Sequence, residues 1–93
     1  MFFFMKNLIV VTGGAGFIGS NLIEKILITE KNFKIISIDN YSTGNKKNHI
    51  KDNRVIYYKS HTRHIEKILK NKINKIHSLF HFGRICKNFS KLF

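Results

Sequence analysis

The feature of this 93-residue chain that most constrains its fold is a cluster of glycines near the N-terminus. Four of the six glycines lie within residues 13–19. The preceding residues 7–12 contain a continuous apolar run with β-branched side chains, which is typical of a strand buried on both faces of a parallel sheet. From Phe17 to about Thr29 apolar residues recur every four positions, which predicts an amphipathic helix. The glycines are therefore expected to form the turn that joins a buried strand to a helix.

Three further apolar segments, rich in β-branched and aromatic residues, predict strands. They are residues 35–39, residues 55–58 and residues 79–82, the last of them closed by Gly83. Strands that alternate with helices indicate a parallel α/β sheet. Right-handed crossovers then give the spatial order 3-2-1-4, the N-terminal half of a Rossmann-type doubly wound sheet. A ligand crevice is expected beyond the carboxyl ends of strands 1 and 4.

The segments between the later strands predict a loop and a second helix. Residues 40–53 are rich in Asn, Ser, Gly and Lys, which indicates a loop with one helical turn near residues 46–50. Thr62 can cap a helix, and Glu66 near its start suits the helix dipole. The apolar face of this helix is predicted from Ile65, Ile68, Leu69, Ile73 and Ile76.

The glycine turn predicts a binding site for the pyrophosphate of a dinucleotide. Gly13 allows the sharp turn out of strand 1, and Gly16 leaves room for the pyrophosphate to meet the backbone N–H groups of Phe17 and Ile18. Gly19 allows the helix to pack closely on strand 1. The alternative is a glycine-rich tight turn that binds no ligand.

An acidic residue stands where such a cofactor needs one. Asp39 ends the second strand, twenty residues after Gly19, where a carboxylate accepts hydrogen bonds from the adenosine ribose hydroxyls. A carboxylate repels a 2′-phosphate, so NAD is favoured over NADP, and the next residue, Asn40, is not an arginine that would favour NADP. Lys46 and Lys47 weaken this preference. The alternative role of Asp39 is that of a turn or helix cap.

The formal charge of +12 raises nucleic-acid binding as an alternative function. The basic residues are mostly lysines spread along the whole chain, and few aromatic residues alternate with them as a base-stacking platform requires. We therefore attribute the charge to the lysine-rich composition of the whole chain and do not expect nucleic acid as a partner. It still favours capture of an anionic cofactor.

Cysteine and histidine usage argues against disulfide and metal chemistry. Cys86 is the single cysteine, which excludes an intramolecular disulfide and suggests a reducing, cytoplasmic location. His61 and His64 lie three residues apart, but no third ligand completes a metal set. His81 is expected to be a core or crevice histidine. No run approaches the ~20 apolar residues of a membrane span.

Three motifs in this order resemble the NAD-dependent epimerase/dehydratase family, the extended short-chain dehydrogenases that act on nucleotide sugars, UDP-glucose 4-epimerases in particular. Residues 11–22, Val-Thr-Gly-Gly-Ala-Gly-Phe-Ile-Gly-Ser-Asn-Leu, are similar to the N-terminal signature of that family. Residues 39–44 resemble its second-strand segment, which wraps the adenosine, and residues 79–83 its fourth-strand ending beside the cofactor. The resemblance thus implies cofactor contacts from Asn40, Thr43, Gly44, Phe82 and Gly83 as well.

The sequence departs from the family pattern at two places. The family usually has a Gly-Asp pair after strand 3, whose Asp meets the adenine, whereas Ser60 and His61 stand there in this chain. After strand 4 the family continues with two small residues, whereas Gly83 is followed here by Arg84.

The resemblance also implies a catalytic Tyr-x-x-x-Lys pair, which this sequence lacks. Members of the family are several times longer, and their Tyr acts as the general acid/base. We therefore expect an N-terminal fragment, with a partial NAD-binding domain at residues 5–83, tails at residues 1–4 and 84–93, and the nucleotide-sugar substrate bound only in a full-length protein. The alternative is a stand-alone nucleotide-binding module, whose open sheet edge would need a partner chain or self-association to cover it.

Overall fold

The computed structural model describes residues 6–82, in which a four-stranded parallel sheet carries one helix of 13 residues and one of five. The elements are β1 (Leu8–Thr12), α1 (Phe17–Thr29), β2 (Lys34–Asp39), β3 (Val55–Lys59), α2 (Ile65–Leu69) and β4 (Ile76–His81). The strand order is β3-β2-β1-β4, and all three strand pairs are parallel. The predicted α/β fold and strand order are therefore confirmed.

The sheet is buried on both faces near its centre, as the continuous apolar run of β1 predicts. All five residues of β1 are buried. Val10 and Ile38 belong to an apolar cluster on the α2 side, whereas Val11 and Ile35 belong to a second cluster with Ile23 of α1. Burial of each such Val or Ile side chain stabilises the fold by about 1.5–3 kcal/mol.

The C-terminal end of α1 is held by an arginine from the loop before β3. The guanidinium of Arg54 donates hydrogen bonds to the carbonyl oxygens of Leu27 and Glu30, both at 3.0 Å. A cation in this position also interacts favourably with the helix dipole. Asp52 forms an ion pair with Arg54 at 3.0 Å, and the hydrogen bonds from Arg54 lower the pKa of the Asp52 carboxyl.

The predicted extent of the second helix is wrong. Helix α2 ends at Leu69, Ile73 lies in a 3₁₀ turn (Ile73–Lys75), and Ile76 begins β4. The isoleucines kept a helical spacing although Ile76 is paired opposite Leu8 in the sheet and is buried there. Thr62 starts a separate 3₁₀ turn, Thr62–His64, rather than α2 itself.

Smaller differences concern strand ends and loops. Strand β4 runs over Ile76–His81, so it begins three residues before the predicted segment and Phe82 follows it. The helical turn predicted near residues 46–50 is confirmed as the 3₁₀ turn Lys46–Asn48. Within residues 6–82, no helix is long and apolar enough to cross a membrane. Gly83, Arg84, Cys86 and the proposed tails at 1–4 and 84–93 lie outside the described residues.

Candidate functional site

A cleft of about 470 Å³ opens at the carboxyl ends of the parallel strands. In open α/β sheets this is the edge at which ligands bind. The cleft is lined by Gly13, Gly16, Phe17, Ile18, Gly19, Ile38, Asp39, Asn40, Ser42, Thr43, His61 and Phe82. Nine of these twelve residues are among the predicted cofactor contacts, so the structure brings most of the predicted set together.

Two positions of the glycine turn disfavour a side chain, one because of its backbone conformation and the other because there is no space for a Cβ. Gly13 has a φ of 75°, which an L-residue rarely adopts. A Cβ at Gly19 would lie 2.9 Å from the carbonyl carbon of Gly13 and closer still to its oxygen. The N–H of Gly13 donates to the carbonyl of Ile38 at 2.7 Å, which ties the turn to β2. Helix α1 thus approaches the glycine turn closely at Gly19, whereas the sequence predicted that Gly19 packs on strand 1 itself.

The N-terminus of α1 points unpartnered donors into the cleft. Gly16 is the N-cap, it has no side chain to accept a hydrogen bond, and no acidic residue lies in the first turn. Among the described residues, the backbone N–H groups of Phe17 and Ile18 have no acceptor. Unpaired N–H groups and the positive end of the helix dipole favour an anion at this position.

Asp39 lies at the edge of the cleft and connects the glycine turn to the loop after β2. Its side chain is buried, with Oδ2 accepting from the Ala15 N–H at 3.0 Å and Oδ1 accepting from the Tyr41 N–H at 2.8 Å. The second bond makes Asp39 a turn cap, as the alternative reading of the sequence had it. Each carboxylate oxygen has a further lone pair, so hydroxyl groups of a ligand can still bind.

Gly44 packs against the carboxylate of Asp39 and does not line the cleft. A Cβ at this position would lie 2.7 Å from Oδ2 of Asp39 and 3.0 Å from the Cβ of Ala15. The resemblance placed Gly44 among the cofactor contacts. In the structure it leaves space for the bond between Asp39 and Ala15, and a direct contact with a ligand stays a prediction.

The loop after β2 is fixed by a group of aromatic side chains that the sequence did not indicate. The hydroxyl of Tyr41 hydrogen-bonds Nε2 of His49 at 2.6 Å, and the His49 ring stacks on Tyr57 at 3.8 Å. The Tyr57 hydroxyl accepts from the Ile50 N–H at 2.9 Å. Burial raises the pKa of both tyrosines, and the charge of Asp39 further raises that of Tyr41. The positive φ of Tyr41, 62°, is part of this arrangement.

Three lining residues were missed as contacts, namely Ile38, Ser42 and His61. Ile38 lies at the end of β2, directly before Asp39, and Ser42 lies inside the polar loop. His61 lies two residues after β3. Because β3 is next to β2 in the sheet, a residue just after β3 could have been expected to lie near Asp39 in the cleft. Gly83, also predicted as a contact, lies outside the described residues.

The histidines form no metal site within the described part of the chain. Among residues 6–82, no three His, Cys, Asp or Glu side chains lie close enough to hold a metal ion. His81, at the end of β4, has its Nδ1 at 2.5 Å from Oγ1 of the buried Thr12, so it lies beside the end of β1 and is not among the residues that line the cleft.

Comparison with known proteins matches this chain to one enzyme family and to several of its relatives. The model of the NAD dependent epimerase/dehydratase family matches residues 9–89. UDP-glucuronic acid decarboxylase 6 of Arabidopsis thaliana is 57% identical over 47 residues, which are 50% of this chain and 13% of that protein. The matched part of the chain thus spans only a small share of this relative.

Solved structures agree over more of the chain. The dTDP-glucose 4,6-dehydratase of Bacillus anthracis in complex with NAD is 31% identical with a TM-score of 0.70, over 82% of this chain and 26% of that one. The UDP-glucose 4-epimerase of Thermus thermophilus in complex with NAD is 26% identical with a TM-score of 0.66, over 85% and 24%. The chain therefore corresponds to about a quarter of these proteins.

Proposed function

Because this chain belongs to the NAD dependent epimerase/dehydratase family, we propose that it binds the adenosine and pyrophosphate half of NAD. One observation supports this most. The unpartnered N–H groups of Phe17 and Ile18 face the same cleft as the carboxylate of Asp39. Donors for an anion and an acceptor for hydroxyl groups are thus present side by side, which is the arrangement that a dinucleotide requires.

The residues of the cleft fit this cofactor. A pyrophosphate at the α1 N-terminus is bound by the N–H groups of Phe17 and Ile18. Because Gly16 has no side chain, the pyrophosphate can approach these groups. Asp39 accepts hydrogen bonds from the adenosine ribose hydroxyls through its remaining lone pairs. Its negative charge disfavours a 2′-phosphate, so NAD is expected to bind more tightly than NADP.

The chemistry that NAD supplies when bound is the reversible acceptance of a hydride. The described residues of this chain bind and orient the cofactor. The names of the relatives above contain UDP-glucuronic acid, UDP-glucose and dTDP-glucose. All three are nucleoside diphosphate sugars. We propose a substrate of this class for a protein in which residues 5–83 form the N-terminal part of the NAD-binding domain.

The proposal is tested by titrating the purified chain with NADH and following the cofactor fluorescence. The variant Gly16→Ser adds a hydroxyl that can accept from the first N–H groups of α1, since serine is a preferred N-cap. It is expected to preserve or raise the thermal stability while weakening NADH binding by about tenfold, because the donors then have an internal partner. Asn21→Ser, at an exposed position of the same helix, serves as the control.

If Gly16→Ser keeps its thermal stability but binds NADH more weakly, the loss of binding comes from the site and not from unfolding. Saturable binding by the parent chain and by Asn21→Ser, with weak binding by Gly16→Ser, supports the proposal. A flat titration of the folded parent chain contradicts it, and so does tighter binding of NADPH than of NADH, which would exclude the role given to Asp39.

A further inference from the structure

The outer end of the cleft is formed by the segment after β3. Because β3 lies beyond β2 in the sheet, its carboxyl end is two strand spacings, about 10 Å, from the end of β1. The N–H of Ser60 donates to the carbonyl of Asp39 at 2.9 Å, which holds this segment beside the end of β2. His61 follows and lines the cleft.

The order of the groups along the cleft gives the position of the base. The anion-binding N–H groups of Phe17 and Ile18 follow β1, and Asp39, the ribose acceptor, follows β2. A dinucleotide that occupies both continues outward over the end of β3. Its purine then meets His61 and the nearby loop after β2, since these residues line that part of the cleft.

The hydrogen-bonding character of His61 is set by its neighbour. Nδ1 of His61 accepts a hydrogen bond from the backbone N–H of Arg63 at 3.2 Å. A neutral imidazole with an accepting Nδ1 carries its proton on Nε2. His61 therefore offers a donor, Nε2–H, to a ligand in the cleft.

A second side chain at this end also has a donor left over. The Oδ1 atom of Asn40 accepts from the Ser42 N–H at 2.9 Å, which leaves the amide NH₂ group of Asn40 for other partners. The only carboxylate among the lining residues is that of Asp39, and both its oxygens already accept backbone N–H groups. At the outer end of the cleft, His61 and Asn40 thus each have a hydrogen-bond donor left for a ligand.

We propose that His61 determines purine specificity and makes this site accept 6-oxo purines at least as well as adenine. Adenine carries an amino donor at C6, whereas hypoxanthine and guanine carry an oxygen acceptor there. The Nε2–H of His61 complements the oxygen and opposes the amino group, and a carboxylate in its place would do the reverse. This inference rests on the proposed binding of a dinucleotide in the cleft.

The test compares the dissociation constants of NAD and nicotinamide hypoxanthine dinucleotide for the 93-residue chain. The two ligands differ only in the substituent at C6 of the purine and in the hydrogen on N1. The ratio of their dissociation constants therefore reports on the contact at this edge of the base. For His61→Asp the ratio is expected to shift toward NAD by about tenfold, because the aspartate accepts from the adenine amino group and repels the hypoxanthine oxygen.

Two further variants keep the result specific. His64→Asp introduces the same charge three residues later, at an exposed position that does not line the cleft, and is expected to leave the ratio unchanged. His61→Ala removes the donor without adding charge and is expected to weaken the hypoxanthine dinucleotide several-fold while changing NAD binding less. His61 is exposed, so these changes are not expected to unfold the chain.

The outcomes separate the two proposals. A ratio that shifts in His61→Asp and stays constant in His64→Asp supports the role of His61. Saturable NAD binding with the same ratio in all variants overturns that role and leaves the proposed function intact. If the folded chain binds neither dinucleotide, the proposed function fails and the role of His61 fails with it.

Discussion

The carboxylate of Asp39 accepts a hydrogen bond from the backbone N–H of Ala15 at 3.0 Å, although the two residues are 24 positions apart. Through this bond the end of β2 holds the glycine turn that precedes α1. The same carboxylate accepts from Tyr41 and so orders the following loop. The acidic residue proposed to bind the ribose is therefore also a part of the scaffold that shapes the proposed phosphate site.

Replacing Asp39 with asparagine is expected to destabilise the fold and the site together. An amide has one accepting oxygen, so either the Ala15 N–H or the Tyr41 N–H would face an NH₂ group. We expect the free energy of unfolding to fall by about 1–3 kcal/mol, because a buried donor loses its partner. Urea unfolding measures this. Glu24→Gln, at an exposed position, is the control, and equal stability of the two variants would contradict the scaffold role.

The two glycines at the start of α1 are expected to differ sharply in their tolerance of alanine. A Cβ at Gly19 would lie against rigid backbone, 2.9 Å from both the carbonyl carbon of Gly13 and the Cα of Gly14. A Cβ at Gly16 meets only the Gly13 oxygen, at 3.3 Å. We expect Gly19→Ala to cost about 1–3 kcal/mol of stability, and Gly16→Ala about 0.5 kcal/mol. Thermal unfolding of both variants tests the packing, and similar losses in the two would refute it.

Stability is expected to decline at high pH through the half-buried tyrosines Tyr41 and Tyr57. The pKa values of Tyr41 and Tyr57 are raised in the folded chain, so the folded state retains their protons more strongly than the unfolded state. This contribution is complete below the unfolded pKa of about 10 and is lost as the pH rises through the folded values. The urea midpoint is therefore expected to fall above pH ~10. The double variant Tyr41→Phe, Tyr57→Phe should show a smaller fall, and an identical fall would remove the tyrosines as its cause.

The 93-residue chain is expected to bind NADH without interconverting UDP-glucose and UDP-galactose. Neither Tyr41, Tyr57 nor Tyr58 is followed by a lysine four residues later. The pKa values of Tyr41 and Tyr57 are raised, which is opposite to what a tyrosine general base at neutral pH needs. A coupled assay for UDP-galactose formation measures turnover, and activity of the purified chain above the buffer control would show that other residues carry the chemistry.

The topology of this protein could be predicted because it depends on local patterns. The buried run of β1, the four-residue spacing in α1 and the glycines between them each involve neighbours in the sequence. Right-handed crossovers then leave only a handful of strand orders for such an alternation, among them the Rossmann-type order 3-2-1-4. The same reasoning failed at Ile73 and Ile76, where helical spacing continued by chance into a turn and a strand. Pairing of Ile76 opposite Leu8 decides that segment, and pairing is not visible in local spacing.

The sequence by itself determined the strand order, the glycine turn before α1 and the acidic residue at the end of β2, because spacing and side-chain chemistry specify them locally. Tertiary structure alone decided that Asp39 bonds Ala15, that Tyr41, His49 and Tyr57 pack together, and that His61 lines the cleft. The bond between Asp39 and Ala15 and the lining of the cleft join residues that follow different strands. They arise only when parallel pairing brings the carboxyl ends of separate strands to one edge of the sheet.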